Sequence, residues 1–135
     1  MIQSGECLCG DVTYTLEGEA MFSTVCHCKN CQKQSGSAFS INLIYRQDQI
    51  KVSGSLSSYE DRSDAGNQIF RKFCGRCGSP ILSELTAYPG IIALKAGSLD
   101  DSSSVKPSSQ VWCDSGQSWL KIESDMPTYA QNPTE

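Results

Sequence analysis

The fold of this chain depends most on the segment Cys74-Gly75-Arg76-Cys77-Gly78. A Cys-x-x-Cys pair followed by glycine is typical of a zinc knuckle, in which a tight turn points both thiolates at one metal. Gly78 stands where such a turn requires a positive φ, which glycine adopts without steric cost. Because structural zinc takes four ligands, this pair predicts two further ligands elsewhere in the chain.

A second cysteine pair near the N-terminus supplies the missing ligands. It reads Cys7-Leu8-Cys9-Gly10, and a Cys-x-Cys pair can converge on one metal when the intervening residue is bent. We therefore expect a closed structural zinc site built from Cys7, Cys9, Cys74 and Cys77. Such a site would join the N-terminal strand to a mid-chain hairpin and would support folding directly.

A cysteine triplet lies between the two pairs, in Cys26-His27-Cys28-Lys29-Asn30-Cys31. Three protein ligands with an open fourth position are typical of catalytic zinc. A substrate thiol or a water can fill that position, and a thiol bound there would lose its proton at neutral pH. The alternatives are one four-cysteine zinc site with the other cysteines idle, a disulfide framework, or a redox Cys-x-x-Cys motif. Two zinc sites are the interpretation that we favour.

Two residues near the triplet have open roles. His27 is the single histidine of the chain. It could be a fourth ligand, a residue that contacts the ligands or transfers a proton, or a side chain that only packs or faces solvent. Because it stands between two ligands, its side chain is expected to point away from their metal. Cys113 follows Trp112 in a strand-like segment and is expected to be a buried free thiol, with ligation of the triplet metal as the alternative.

The composition restricts the class of protein. The chain has 135 residues, eight cysteines and a net charge of −4, from 15 acidic and 11 basic residues. This balance argues against nucleic acid as a partner, because Arg71, Lys72 and Arg76 are too few for a basic footprint. We expect these three side chains to be solvated. The N-terminal residues lack the features of a signal peptide, and no apolar run is long enough for a membrane span. Clustered cysteines in such a chain favour metal binding in the cytoplasm.

Short strands separated by turn residues predict a mainly β domain. Val12, Tyr14 and Leu16 alternate with threonines, as in a half-buried strand. Further strands are expected within residues 38–45, 50–52, 68–73, 91–94, 111–112 and 119–120. One short helical turn is expected within residues 29–34. We expect a single zinc-binding domain over residues 1–135, with residues 130–135 as a loose tail.

Three blocks of this sequence resemble the glutathione-dependent formaldehyde-activating enzyme family, also called the centromere-protein-V-like domain. They are residues 5–14, 26–39 and 71–80, and the ending at 112–129 is similar to the closing segment of the family. The resemblance covers about residues 4–129. One departure is Gln110, which stands where the family often has a histidine.

The resemblance implies a fold, two metals and an activity. The fold would be a β-tent of short antiparallel sheets stapled by zinc. Structural zinc would bind Cys7, Cys9, Cys74 and Cys77, and a second zinc would bind Cys26, Cys28 and Cys31, with glutathione near it. The named activity joins formaldehyde and glutathione to give S-hydroxymethylglutathione and makes the family carbon–sulfur lyases.

Two other functional classes stay open at this level. One is a non-catalytic zinc module that binds a partner protein, and the other is a thiol or redox sensor that releases zinc on oxidation. The enzyme hypothesis assigns the open site to Cys26, Cys28 and Cys31, with a small thiol as the partner. It names no acid or base except His27 as a candidate.

Overall fold

Ten short strands and one helix form the regular structure of the described residues. The computed structural model describes residues 2–63, 66–122 and 125–133. The strands are β1 (Ile2–Glu6), β2 (Thr13–Glu17), β3 (Phe22–Cys26), β4 (Ser40–Arg46), β5 (Ile50–Ser53), β6 (Leu56–Arg62), β7 (Gln68–Cys74), β8 (Pro80–Leu85), β9 (Ile91–Lys95) and β10 (Ser109–Val111). The helix α1 spans Lys29–Ser35, and 3₁₀ turns span Gln47–Gln49, Ala96–Ser98 and Cys113–Ser115. The mainly β architecture expected from the sequence is confirmed. Within these ranges, no helix has the length and apolar character to cross a bilayer.

A three-stranded sheet in the order β1-β2-β5 contains the N-terminal part of the chain. In β2 the side chains alternate as the sequence predicts, since Tyr14 and Leu16 are buried while Thr13 and Thr15 are exposed. Leu16 contributes one of the most deeply buried side chains of the core. Burial of the apolar face of β2 in the common core stabilises the packing of this small sheet against the larger one.

The larger sheet has seven strands in the order β10-β3-β4-β9-β8-β7-β6. All its pairs are antiparallel except β10 with β3, which is parallel. In β4, within the strand expected at residues 38–45, Leu43, Ile44 and Tyr45 are all buried. β4 lies in the interior of the sheet, between β3 and β9, and consecutive side chains, which point to opposite faces, are buried. The same position makes β9 an almost continuous apolar run.

The C-terminal segment is hydrogen-bonded along β10 and is not a loose tail as far as residue 132. The amide of Trp112 donates to the Gln131 carbonyl at 3.1 Å, and its indole Nε1 donates to Asn132 Oδ1 at 2.9 Å. Trp112 has a φ of 57°, in the left-handed region, and these two bonds hold that conformation. The expected strand at 119–120 is wrong, since Trp119 lies in a turn with 72% of its surface exposed. The last two residues of the expected tail lie outside the described residues.

Candidate functional site

Two turns bring four cysteines of distant segments together. Cys7 and Cys9 follow β1, while Cys74 ends β7 and Cys77 lies in the turn before β8. Their four sulfurs lie within 4.8 Å of one another. Gly78 has a φ of 81°, as the knuckle predicts, and its amide donates to the Cys74 carbonyl at 2.8 Å. The sequence pattern therefore places all four side chains at one point.

The sulfur spacing in this cluster suits a tetrahedral metal. Cys9 Sγ lies 3.6 Å from Cys7 Sγ and 3.7 Å from Cys74 Sγ. A tetrahedron with zinc–sulfur bonds of ~2.3 Å has sulfur–sulfur edges of about 3.8 Å. The amide of Val12 donates to Cys7 Sγ at 3.3 Å, as amides commonly do around bound thiolates. This donor set and spacing fit zinc.

The second cluster is local in sequence. Cys26 ends β3, Cys28 caps α1, and Cys31 lies in the first turn of that helix. The amide of Cys31 donates to Cys28 Sγ at 3.3 Å, so the cap itself orients one sulfur. The three sulfurs lie within 4.8 Å of one another, and Cys26 and Cys31 are buried.

The close contact of the three thiols shifts the pKa values of Cys26 and Cys31 in opposite directions. Hydrogen bonds with Cys26 and then Cys28 lower the pKa of Cys31 far below its ordinary value. Hydrogen bonds with Cys28 and Cys31 raise the pKa of Cys26. The cluster thus stabilises one thiolate at the expense of its neighbours, which is what closely spaced thiols do until a cation replaces their protons.

His27 and Cys113 do not join the cluster. The His27 Nε2 is 2.8 Å from Gln110 Oε1 in a buried hydrogen bond, and its ring lies 6.0 Å from the Phe39 ring. The side chain therefore points away from the sulfurs, as its place between two cysteines predicts. Cys113 is half-buried in a 3₁₀ turn, not buried in a strand, because β10 ends at Val111. In the described part of the chain, no histidine or fourth cysteine lies within reach of all three sulfurs.

Lys95 is a neighbour of this cluster that sequence reasoning missed. It ends β9 with only 8% of its surface exposed, and its Nζ donates to Asn42 Oδ1 at 2.9 Å. Ser40 Oγ lies 3.5 Å from the same Nζ, and Ser40 pairs directly with Cys26 across β4 and β3. Burial lowers the pKa of the Lys95 ammonium, while the negative charge of Cys31 opposes that change. A lysine that directly follows an apolar strand was the available signal.

A second buried cation, Arg71, fixes α1 to the sheet. Its Nε donates to Asp61 Oδ2 at 2.8 Å and its guanidinium donates to Gln34 Oε1 at 3.2 Å. The expectation that Arg71 is solvated is wrong, since its side chain is only 8% exposed. The reason is that its guanidinium is held between Asp61 of β6 and Gln34 of α1.

Removing the carboxylate partner of Arg71 should destabilise the protein. Asp61→Ala leaves a buried guanidinium without its counter-charge, so we expect the free energy of unfolding to fall by about 3 kcal/mol. Urea denaturation followed by circular dichroism measures the loss. The matched control is Asp11→Ala, which breaks the exposed pair with Arg76 and should cost at most about 1 kcal/mol. Equal losses for both variants would contradict the prediction.

A cavity of about 670 Å³ is lined by Cys7 of the four-cysteine cluster and by Ser40 and Lys95. Its walls come from residues 6–8, 39–41, 79–80 and 95–100, together with Ser35. Lys95 and Ser40 therefore face both this cavity and the three-cysteine cluster. Glu6 and Asp100 supply negative charge elsewhere in the lining. The volume is in the usual range for small-molecule sites.

Comparisons with known proteins agree with this architecture. The protein resembles a Rhodobacter sphaeroides protein of known crystal structure, with a TM-score of 0.59 and 20% identity over 93% of this chain and 98% of that chain. At this identity the likeness concerns the fold alone. No curated protein sequence matches the chain at a significant level.

A sequence model of one protein family matches residues 2–115. This match covers all seven cysteines of the two clusters and ends before residue 129, where the resemblance was expected to end. The family is described as the glutathione-dependent formaldehyde-activating enzyme family. Because most of the chain is matched, including both clusters, the protein belongs to this family.

Proposed function

We propose that the protein is a zinc-dependent enzyme of the carbon–sulfur lyase class. It would join a small thiol, such as glutathione, to formaldehyde or a related aldehyde and give an S-hydroxymethyl thiol adduct. One observation carries the proposal: three cysteine sulfurs lie together without a fourth protein ligand among the described residues. Family membership supports both substrates. We place the reaction in the cytoplasm, where thiols stay reduced.

The two clusters would have different tasks. Cys7, Cys9, Cys74 and Cys77 would form a closed structural site, since four thiolates leave no position for a substrate. The three sulfurs of Cys26, Cys28 and Cys31 would hold a second zinc and leave one position open. Zinc bound there would lower the pKa of a thiol ligand, so that the thiol sulfur would be a nucleophilic thiolate at neutral pH.

The surrounding residues prepare this chemistry without taking part in bond formation. Ser40, which pairs with Cys26 across the sheet, helps to lower the pKa of the Cys31 thiol. The hydrogen bond from His27 to Gln110 holds the ring away from the sulfurs, which leaves the open position free. The neighbouring cavity has room for the remainder of a tripeptide-sized thiol.

The reaction is a simple addition with balanced atoms. The thiol sulfur forms a bond to the aldehyde carbon, and the π electron pair of the carbonyl moves to its oxygen. The proton that the thiol loses ends on that oxygen, by way of solvent. Neither an oxidant nor a reductant is needed.

Two measurements test the proposed function. Elemental analysis of the purified protein should find two zinc ions per chain. NMR exchange spectroscopy of glutathione and formaldehyde at equilibrium should show faster interconversion with the protein present than without it. Unchanged rates from pH 6 to pH 8 would overturn this substrate pair. Two zinc ions without acceleration would favour a non-catalytic zinc module.

A further inference from the structure

Lys95 is a buried cation for which the described residues provide no carboxylate partner. Its ammonium contacts only neutral side-chain oxygens, those of Asn42 and Ser40. The recorded ion pairs in the described ranges belong to Arg46, Arg71 and Arg76. Burying an ammonium without a counter-charge is costly, so native proteins pair such groups. Lys95 therefore needs a source of negative charge nearby.

The three-cysteine cluster is that source. In the sheet, Lys95 lies opposite Asn42, and Ser40, two residues before Asn42 on β4, lies opposite Cys26. The cysteines, Cys31 first, act to raise the pKa of Lys95, whereas Arg71 acts to lower it. Ser40 lies between the ammonium and the cluster, since its Oγ is 3.5 Å from the ammonium and the residue pairs directly with Cys26 on β3. The Lys95 ammonium therefore acts on the cluster electrostatically, with the Ser40 hydroxyl between them.

The net charge of the three-cysteine centre depends on its fourth ligand, and Lys95 lies close enough to affect which ligand binds. Three thiolates and one divalent cation carry one net negative charge. Adding a thiolate as the fourth ligand makes the centre doubly negative, which a low-dielectric site resists. A fixed ammonium beside the centre offsets this repulsion. It gives no comparable help to a neutral fourth ligand such as water or imidazole.

We propose that Lys95 is a positioning residue that makes the three-cysteine site accept an anionic fourth ligand, and so selects a thiol over a neutral ligand. The inference rests on the proposed function, because it takes the second zinc as bound by Cys26, Cys28 and Cys31. It goes further by naming the residue that sets which ligand class completes the site. Lys95 also lines the neighbouring cavity.

The test compares two ligands on the zinc-loaded protein by isothermal titration calorimetry. The anionic probe is 2-mercaptoethanol, a thiol without a carboxylate, and the neutral probe is imidazole. In Lys95→Gln, which keeps an amide donor but loses the charge, thiol affinity should fall about 10- to 100-fold, the range found for outer partners of metal ligands. Imidazole affinity should change less than about threefold. Lys95→Arg should restore thiol binding, and Lys51→Met, at an exposed lysine of β5, should leave both affinities unchanged.

The outcomes separate this inference from the proposed function. If wild-type protein with two zinc ions binds no thiol, the proposed function is wrong. If wild type binds the thiol and Lys95→Gln binds it equally well, the role of Lys95 is wrong and the proposed function stands. Equal weakening of both ligands, without rescue by Lys95→Arg, would show that Lys95 has a structural role only and would overturn the inference.

Discussion

Cys74→Ser should unfold the protein at room temperature. Cys74 is 2% exposed, and its sulfur belongs to the cluster that joins the end of β1 to the turn between β7 and β8. Cys9 and Cys74 are 65 positions apart in the chain, so a metal bound by both closes a long loop. Closing a long loop removes more conformational entropy from the unfolded chain than closing a short one, and so stabilises the fold more. Structural zinc contributes an apparent ~10–16 kcal/mol in small metal domains, against a typical total stability of ~5–15 kcal/mol.

Elemental analysis and thermal denaturation together measure this effect. The zinc content should fall by at least one ion per chain, and the cooperative transition in circular dichroism should disappear. Cys113→Ser is the matched control, because that thiol lies outside both clusters, and its stability should change by less than about 1 kcal/mol. A Cys74→Ser protein that unfolds cooperatively at the wild-type temperature would show that the four-cysteine cluster is not structural.

The sequence predicted the cysteine clusters better than it predicted the strands around them. Cys-x-Cys and Cys-x-x-Cys-Gly are local turns whose geometry depends on few neighbours, and Gly78 takes the expected positive φ. In contrast, the sequence reading missed β6, which is polar and exposed because it lies at the edge of the large sheet. An edge strand needs no apolar face, so it carries no alternating pattern.

The polar residues that surround the three-cysteine cluster could not be predicted from the spacing of residues in the sequence. Lys95 and Ser40 are 55 positions apart and meet only because β4 pairs with β9. Gln110 reaches His27 across 83 positions by the parallel pairing of β10 with β3. Both contacts follow from strand order, which depends on long-range pairing that local patterns do not encode. The three cysteines of the second cluster lie within six consecutive residues, whereas the polar groups around them come from distant strands.

Cys28→Ser should keep the fold and lose the proposed activity. Cys28 caps α1, and its side chain accepts the amide of Cys31; serine is among the preferred N-caps, so the helix start should survive. Cys26, Cys28 and Cys31 lie within six consecutive residues, so a metal held by them closes only a short loop and contributes little through chain entropy. Removing one of three sulfur ligands should nevertheless release the second metal.

The expected result is therefore the opposite of that for Cys74→Ser. One zinc ion per chain should remain, the cooperative unfolding transition should persist, and the acceleration of adduct exchange should fall by roughly 100-fold or more, since even outer-residue changes cost ~10–100-fold. Lys33→Ser, at an exposed position of the same helix, is the control and should keep both metals and full activity. If Cys28→Ser retained two zinc ions and its rate, the open site would have to lie elsewhere. If it unfolded like Cys74→Ser, the division into one structural and one reactive cluster would be wrong, because both clusters would then hold the fold.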